Sequence, residues 1–386
     1  MLSVINVCTN AIDDLDLAKE EILSQLKDKK LLQNTIGIIA CHYDYVEQGV
    51  VEAICQSVPF DIVGCSTVGS AINSNGSMEH LILTILTGDD VFFSTVMSDT
   101  ISKDDYESPI ENAYTIARDS LGQDPALIFM FGPVMPGVVG DQMLEKLNQF
   151  GGGIPVFGTL SSDALTGCPR SYVVRNGKSD RYKMSLLLVG GNVNPRFYVT
   201  AIAQRSIQQN SAVVTDSEGY LVTSINNLSV LDYFSMLGIT ATKLAAMSMI
   251  PFLVDFCDGT EPIAYSMYDI SANGVYCGGA IPKGAKITFA EIDMSSVLET
   301  AESALHLALD DVKKNGASGV IAIPCMARSL VLSPNVEAEI SKSLEIVGDK
   351  IPFSLIYSGG EICPVYNQQR GLINRFHNLT YTLVVF

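Results

Sequence analysis

The amino-acid sequence predicts an α+β fold, a two-domain mixed-sheet sandwich with a repeated strand-helix-strand-loop-strand unit. Three observations favour this fold. Hydrophobic residues make up 47% of the 386 residues and charged residues only 17%, which indicates strands that are covered on both faces. The apolar residues occur in many short runs, as short strands require. One pattern of elements is also repeated three times along the chain.

Each copy of the repeat has an apolar strand, a helix, a second strand that begins at a proline, a loop of small residues and a third strand. The predicted copies comprise residues 35–40, about 51–58, 59–63, 64–67 and 81–86; residues 126–131, about 141–150, 155–158, 161–163 and 184–189; and residues 319–323, about 336–347, 352–356, 357–361 and 379–385. The third strands of the first and last copies look like hairpin partners. We therefore expect them to add antiparallel edges to the sheets.

Two further helices are predicted from apolar residues that recur on one face. The first spans residues 14–27 and is capped by Asp14, and the second spans about 297–313. Two glycines and a proline between residues 190 and 195 end an apolar strand and mark a break in the chain. We therefore expect one domain of residues 1–190 and a second of residues 191–386.

The charge of the chain argues against several classes of partner. With 42 acidic and 24 basic residues, the net charge is −18, which repels nucleic acid and anionic membranes alike. No apolar run approaches the roughly 18 residues that a membrane-spanning helix needs, and the first residues lack the basic flank of a secretory signal. Nine cysteines without a C-x-x-C pair indicate reduced thiols. We expect a cytoplasmic protein without nucleic-acid or membrane partners.

The loops of small residues form the first candidate binding site, because glycine and serine let a ligand approach backbone N–H groups. A single loop of this kind is more often a tight turn. Three such loops at the same place in a repeat favour a pocket. The candidate residues in these loops are Cys65, Ser66, Thr67, Ser161, Ser162, Asp163, Tyr357 and Glu361.

Cys325 and Arg328 are further candidates because they follow the end of a predicted buried strand. The planar guanidinium of Arg328 suits a carboxylate or phosphate ligand. It equally suits a structural ion pair, most simply with Glu361. The sequence leaves both roles open.

Among the histidines, His377 is the functional candidate, together with Asn378, because it enters the last predicted strand. His306 shares helical spacing with Glu302, a pattern that could bind a metal. That helix face is opposite the apolar one, so a solvated histidine is the better interpretation. His42 follows a strand, and a loop histidine is the simpler interpretation there.

The sequence lacks the common enzyme motifs, namely the P-loop, the dinucleotide-binding glycine motif, H-E-x-x-H and G-x-S-x-G. Cys65 or Cys325 would be the nucleophile of a cysteine-dependent enzyme, which would require a lowered thiol pKa. A small buried cysteine is the commoner role. The sequence therefore favours a binding protein over an enzyme.

Several motifs together resemble the FIST family, which has an N-terminal and a C-terminal domain. The motifs are Gly64-Cys65-Ser66-Thr67-Val68-Gly69, Gly152-Gly153-Ile154-Pro155-Val156-Phe157-Gly158, Ser161-Ser162-Asp163, Ile281-Pro282-Lys283-Gly284, Cys325 with Arg328, Tyr357-Ser358-Gly359-Gly360-Glu361-Ile362, and His377-Asn378 with Thr380. Their order and spacing cover nearly the whole chain. The resemblance implies an intracellular sensory domain that binds a small ligand, with amino-acid-like metabolites as the suggested class.

The resemblance also implies signalling partners and an alternative cofactor. Similar proteins act beside histidine kinases, cyclic-dinucleotide enzymes and chemotaxis receptors, so we expect a partner of one of these kinds. We expect no cofactor. Some members of the family are haem-containing nitric-oxide sensors, and if haem were bound, His377 or His42 would be its axial ligand. The leading hypothesis is a sensor whose ligand has its polar ends fixed by Arg328 and Glu361, and the alternatives are a haem sensor and a cysteine-dependent enzyme.

Overall fold

The computed structural model describes residues 2–73, 75–163, 170–239 and 250–386. These residues form three six-stranded sheets of closely similar topology and a fourth sheet of eight strands. Helices and strands are both abundant and the sheets are mixed, so the predicted α+β class is confirmed. None of the helices in the described residues is long and apolar enough to cross a membrane.

The three six-stranded sheets have equivalent strand orders. The first sheet runs, in spatial order, β1 (Ser3–Thr9), β6 (Leu81–Gly88), β2 (Asn34–Cys41), β3 (Asp61–Ser66), β10 (Val173–Arg175) and β11 (Lys178–Asp180). The second runs β7 (Val91–Met97), β12 (Ser185–Gly191), β8 (Leu127–Gly132), β9 (Val156–Leu160), β24 (Glu361–Asn367) and β25 (Gly371–His377). The third runs β13 (Arg196–Thr200), β26 (Tyr381–Val385), β22 (Val320–Pro324), β23 (Phe353–Ile356), β4 (Ser70–Ile72) and β5 (Asn75–Ser77).

The centre of each sheet confirms the predicted repeat. The parallel pairs β2–β3, β8–β9 and β22–β23 each have a helix between their strands, as a parallel connection requires. The third strand of each copy, β6, β12 or β26, pairs antiparallel with the first. The expectation that β6 and β26 are sheet edges is wrong. A further strand, β1 or β13, covers the outer side of each, which leaves their long apolar runs buried on both faces.

Each copy of the repeat donates a hairpin to the sheet of another copy. Hairpin β4–β5 of the first copy pairs with β23 of the third, and β10–β11 of the second copy pairs with β3 of the first. Hairpin β24–β25 of the third copy completes the exchange by pairing with β9 of the second. The second and third sheets therefore contain strands from both sides of residue 190. The division into domains of residues 1–190 and 191–386 stays a prediction.

The helices cover the outer face of each sheet. They are α1 (Leu15–Leu26), α2 (Tyr43–Glu47), α3 (Val50–Ser57), α4 (Glu107–Leu121), α5 (Gly140–Gly151), a 3₁₀ turn (Gln204–Ser206), α6 (Val230–Met236), α7 (Met294–Asn315), α8 (Met326–Val331) and α9 (Ala338–Val347). Asp14 caps α1 as predicted, because its Oδ1 accepts from the Leu17 N–H at 3.0 Å. The predicted helix at 297–313 is α7, which begins earlier because Asp293 caps it.

The inner faces of the three sheets pack against one another in a shared apolar core. This core takes Val63 from the first sheet, Phe129 and Phe157 from the second, and Ile321 and Val384 from the third. Separate clusters fill the layers between the sheets and their outer helices. Strands in this arrangement are covered on both faces, which explains why almost half of the sequence is hydrophobic.

The fourth sheet is inserted between β13 and α7. Its strands are β18 (Ile263–Tyr265), β17 (Phe252–Asp255), β21 (Lys286–Ala290), β14 (Ile207–Glu218), β15 (Leu221–Ile225), β20 (Gly274–Cys277) and β19 (Met267–Ser271), with β16 (Leu228–Ser229) paired to β15. Its apolar face shares a core with α4 and α5. The Asp141 carboxylate at the start of α5 also accepts from the Ala280 N–H at 2.6 Å, which joins the insertion to the second copy.

We expect Gly158→Ala to destabilise the fold by about 3 kcal/mol or more, since inserting atoms into a packed core shifts the backbone. A Cβ at Gly158 in β9 would lie 2.0 Å from the Met130 carbonyl oxygen of β8. The measurement is the free energy of unfolding in urea. Gly151→Ala is the matched control, because a Cβ there has nothing nearer than 3.8 Å, and we expect a change within about 0.5 kcal/mol. Equal effects of the two substitutions would contradict the close strand approach.

Candidate functional site

The three loops of small residues meet at one place. We call them the central loops and define them as residues 66–69, 161–163 and 357–360. The Ser162 N–H donates to the Ser66 carbonyl at 3.0 Å, and the Tyr357 N–H donates to the Gly69 carbonyl at 3.0 Å. The Thr67 hydroxyl donates to the Tyr357 carbonyl at 2.7 Å. These hydrogen bonds join loops that are far apart in sequence. Each loop follows the second strand of its own copy of the repeat.

Equivalent positions of the central loops carry the hydroxyls of Thr67, Ser161 and Ser358. Their backbone N–H groups donate at 2.8 Å to the end of the first strand of the same copy, Thr67 to Cys41, Ser161 to Gly132 and Ser358 to Pro324. All three side chains are buried. The Ser358 hydroxyl accepts from Thr159 at 2.7 Å, whereas Ser161 Oγ has no hydrogen-bond partner among the described residues. These three hydroxyls therefore form a buried polar junction where the central loops meet.

Beside this junction, polar side chains cross three strands of the second sheet. Glu361 on β24 is directly opposite Thr159 on β9 and His377 on β25. Directly opposite residues share one face of a sheet, with Cβ atoms roughly 5 Å apart. The hairpin donated by the third copy thus places Glu361 and His377 next to the central loops.

Glu361 is a buried carboxyl that contacts Thr380 and the Cys325 thiol. Its Oε2 accepts from the Thr380 hydroxyl at 2.8 Å and from the Thr380 N–H at 3.3 Å. Its Oε1 has no hydrogen-bond partner among the described residues. Burial raises the pKa of Glu361 to about 8, so the carboxyl is mostly protonated at neutral pH. The adjacent Cys325 is fully buried, which raises the pKa of its thiol well above the usual range.

His377 is a neutral imidazole with a free acceptor. Its Nε2 lies 2.9 Å from the Cys363 carbonyl oxygen. A carbonyl only accepts, so Nε2 carries the hydrogen and Nδ1 has a bare lone pair. Burial lowers the pKa of His377 to about 4, so the ring stays neutral at physiological pH. Nδ1 has no hydrogen-bond partner among the described residues.

An apolar cavity of about 310 Å³ adjoins His377. Its walls include Phe197 and Val199 of β13 and Ile263 of β18. His377 and Thr380 line it and are both buried, so they lie at its inner end. Pockets for small molecules usually measure about 300–1,000 Å³, so this one suits a small ligand.

Arg328 is a structural residue. Its guanidinium lies 2.6 Å from Glu339 on α9, and both side chains are buried. It also donates to the carbonyl oxygens of Val297 and Leu379 and to the Thr300 hydroxyl. The prediction that Arg328 pairs with Glu361 is therefore wrong. Glu339 comes from α9 of the same copy, which packs against α7 and places its carboxylate beside the guanidinium.

Three other predicted residues, Cys65, Asp163 and Asn378, each have different surroundings. Cys65 faces the shared core, and burial raises the pKa of its thiol to about 12. Asp163 accepts from the Arg170 N–H at 2.5 Å. Asn378 donates to the His377 carbonyl oxygen at 2.7 Å and so braces the start of β26.

The structure also shows the surroundings of His42 and His306. His42 caps α2, with Nδ1 accepting from the Asp44 N–H at 3.5 Å, and its ring packs on Tyr43. His306 is exposed on α7 beside Glu302, as the solvated-face interpretation requires. No cluster of three or more potential metal-binding side chains was found among the described residues.

Sequence reasoning missed Thr380 as a site residue, together with the cavity walls Phe197 and Glu261. Thr380 belongs to the motif that also contains His377 and Asn378. Its position at the start of the last predicted strand was the signal that could have identified it as a site residue. Phe197 and Glu261 are far from the motifs in sequence, so only the fold brings them to the cavity.

The comparisons with known proteins agree with this architecture. The FIST N domain model matches residues 35–228, which is half of the chain, and the FIST C domain model matches residues 228–364. The chain belongs to the FIST family. FIST domains are sensory domains of signalling proteins that bind small ligands.

A search of the curated proteins finds no match. Among solved structures, a cyanuric acid hydrolase from A. caulinodans aligns over 100% of this FIST protein and 98% of its own chain, with 8% identity and a TM-score of 0.32. A likeness of that size carries no inference about chemistry.

We expect Glu339→Gln to destabilise this FIST protein by about 3–5 kcal/mol, because it leaves the buried Arg328 guanidinium without a counter-charge. Urea unfolding checks this. Asp310→Asn is the control, since it breaks an exposed pair with Lys313 and should leave stability unchanged within error. A Glu339→Gln protein as stable as the parent would rule out a structural ion pair.

Proposed function

We propose that this FIST protein is a cytoplasmic sensor that binds a small ligand in the cavity beside Glu361 and His377. One observation carries the proposal. His377 and Thr380 line the inner end of an apolar cavity, and Nδ1 of His377 has no hydrogen-bond partner among the described residues.

Unpaired buried polar atoms are costly, which is why they are rare in folded proteins. Leaving one without a hydrogen bond costs about 1–3 kcal/mol. Because His377 lines the cavity, a ligand donor that reached its Nδ1 would recover part of this free energy, while the apolar part of the ligand would contact Phe197 and Val199. The site therefore has the polar anchor and the apolar walls that small-molecule sites combine.

The cavity is also placed where a ligand can affect the rest of the molecule. Its walls come from β13 of the third sheet, from the hairpin β24–β25 of the second sheet and from the segment that leads into β18 of the insertion. A ligand that fits one arrangement of these parts better would shift the population towards it. We propose that a separate signalling partner reads this change, with a histidine kinase, a cyclic-dinucleotide enzyme or a chemotaxis receptor as the candidates.

The residues fit haem poorly, so we favour a colourless sensor over a haem-bound nitric-oxide sensor. The Cys363 carbonyl occupies Nε2 of His377, and a cavity of about 310 Å³ is narrow for a porphyrin. His42 caps a helix and packs on Tyr43. A Soret band in protein purified from haem-supplemented cells would favour the haem sensor instead.

The cysteine chemistry supports a binding protein rather than an enzyme. A nucleophilic cysteine needs a lowered pKa, whereas burial raises the pKa of Cys65 and of Cys325. The described cysteines are all free thiols, in keeping with a reducing compartment.

The absence of tryptophan from the sequence allows a direct test of the cavity. We expect Phe197→Trp to give a fluorescence signal that shifts when amino acids, amines or related metabolites bind, because the new indole would line the cavity. Phe92→Trp is the control, since Phe92 is exposed on β7, and its signal should not change. If ligands stabilise the protein against heat but leave the Phe197→Trp signal constant, they bind elsewhere.

We expect Cys65 and Cys325 of the folded protein to resist alkylation by iodoacetamide at pH 7.5, since both thiols are buried and protonated. Cys257 is exposed and serves as the internal control, which should be alkylated first. Peptide mass spectrometry over time gives the three rates. Modification of Cys325 faster than Cys257 would support the cysteine-dependent enzyme.

A further inference from the structure

We infer that the loop between β17 and β18 is a movable cover of the cavity, held shut by the ion pair of Asp258 with Arg375. We call residues 256–262 the cover loop. The inference rests on the proposed function, since it concerns how a ligand would enter the same cavity. It adds an entrance that stays closed until the ion pair breaks.

The cover loop forms one side of the cavity. Gly259, Glu261 and Pro262 of this loop line it. Residues 364–366 and Gln368 of the hairpin β24–β25 line the side next to it. Contacts between the cover loop and the hairpin therefore close the cavity along the line where the two meet. If these contacts opened, the cavity would open to solvent on this side.

Polar contacts hold the cover loop on the hairpin. The Asp258 carboxylate pairs with the Arg375 guanidinium, and the Asp258 carbonyl oxygen accepts from Asn367 Nδ2 at 2.8 Å. The guanidinium also lies over the Phe256 ring, 4.8 Å from its centroid. The side chains of Arg375 and Asp258 are 22% and 23% exposed, so water reaches the pair and limits its strength. A contact of this strength can break and re-form while the rest of the protein stays folded.

The cover loop is also braced from within. Asp258 Oδ1 accepts from the Thr260 N–H at 3.0 Å and from the Thr260 hydroxyl at 2.7 Å. Asp255 Oδ1 accepts from the Cys257 N–H at 2.7 Å, which supports the left-handed backbone of Cys257 at a φ of 57°. These hydrogen bonds do not involve the hairpin. The loop therefore keeps its shape and moves as one piece when its pair with Arg375 breaks.

Asp258 is ionised at physiological pH. Burial acts to raise the pKa of Asp258, but the hydrogen bonds from Thr260 and the charge of Arg375 lower it below its usual value. Both members of the pair are therefore charged, and salt weakens a pair that water reaches. The cover loop should respond to salt, whereas purely apolar contacts would not open as salt is added.

Acrylamide quenching of a tryptophan in the cavity measures how often the cover loop opens. The sequence has no tryptophan, so Phe197→Trp gives a single reporter on the cavity wall. Acrylamide is small and uncharged, and it needs no knowledge of the ligand. In this background Asp258→Asn should raise the quenching constant about threefold, because the amide keeps an acceptor for Thr260 but no longer pairs with Arg375.

Further variants separate the ion pair from general loosening. Arg375→Gln should raise the quenching constant by a similar factor, and the double variant no further, since both substitutions break the same contact. Glu107→Gln is the matched control. It breaks the ion pair with Lys146, and neither of these residues lines the cavity. It should leave the quenching constant unchanged within error.

Salt gives a test that leaves the ion pair unaltered. Raising sodium chloride from about 0.1 M to about 1 M shortens the screening length from about 10 Å to about 3 Å. The quenching constant of the Phe197→Trp protein should then rise about twofold. It should not rise once Asp258→Asn is also present. This comparison decides the matter even if Arg375→Gln does not fold.

Several results would overturn the inference. If Asp258→Asn, Arg375→Gln and salt all leave the quenching constant unchanged, the loop is a fixed wall. The proposed function is then still decided by whether metabolites shift the Phe197→Trp fluorescence. Equal effects of Asp258→Asn and Glu107→Gln would show general loosening instead of a moving cover. If quenching changes as expected but no metabolite shifts the fluorescence, the movable loop is confirmed and the proposed function fails.

Discussion

The exchange of hairpins among the three sheets is the constraint on which the rest of this FIST protein depends. Each central parallel pair would otherwise have an open edge at its second strand, and an open edge is a row of unpaired backbone groups. Hairpins β4–β5, β10–β11 and β24–β25 cover these edges in a ring. Because each hairpin follows a central loop, the exchange also draws the three loops together. The polar junction at their meeting point is thus a consequence of how the sheets complete one another.

Two buried glutamates show that this architecture satisfies one carboxyl fully and another only in part. Glu339 is paired with Arg328 and accepts from the Tyr357 hydroxyl at 3.0 Å, so its charge is fully compensated within the third copy. Glu361 is directly opposite His377 and contacts a hydroxyl and a thiol, none of which carries a charge at neutral pH. Both carboxyls are buried, yet one completes an ion-pair network and the other keeps a free oxygen. A buried group that its surroundings satisfy stabilises the fold, and a group left partly unsatisfied is available to a ligand.

The inserted fourth sheet and the segments that lead into it also contribute to the surroundings of the cavity. Gly259 and residues 261–263 line it and lead into β18, while the Asp141 carboxylate on α5 accepts from the Ala280 N–H. The fourth sheet therefore contacts the second copy at one place and the cavity at another. The cavity is lined by three parts of the chain, two of which, the hairpin β24–β25 and the segment before β18, are also joined by the ion pair of Arg375 with Asp258.

The sequence by itself determined the α+β class, the repeat and the approximate bounds of the elements within it, because these depend on local periodicity and on proline and glycine at fixed positions. Strand β2 and helix α5 lie within one or two residues of their predicted bounds. The sequence also pointed to Glu361 and His377, since each lies in a recognisable motif. It could not show that β6 and β26 are interior strands or that Arg328 pairs with Glu339, because both depend on partners distant in the chain. Only the tertiary structure decided which polar groups were satisfied and which remained free, since that depends on the neighbours that the exchanged hairpins bring together.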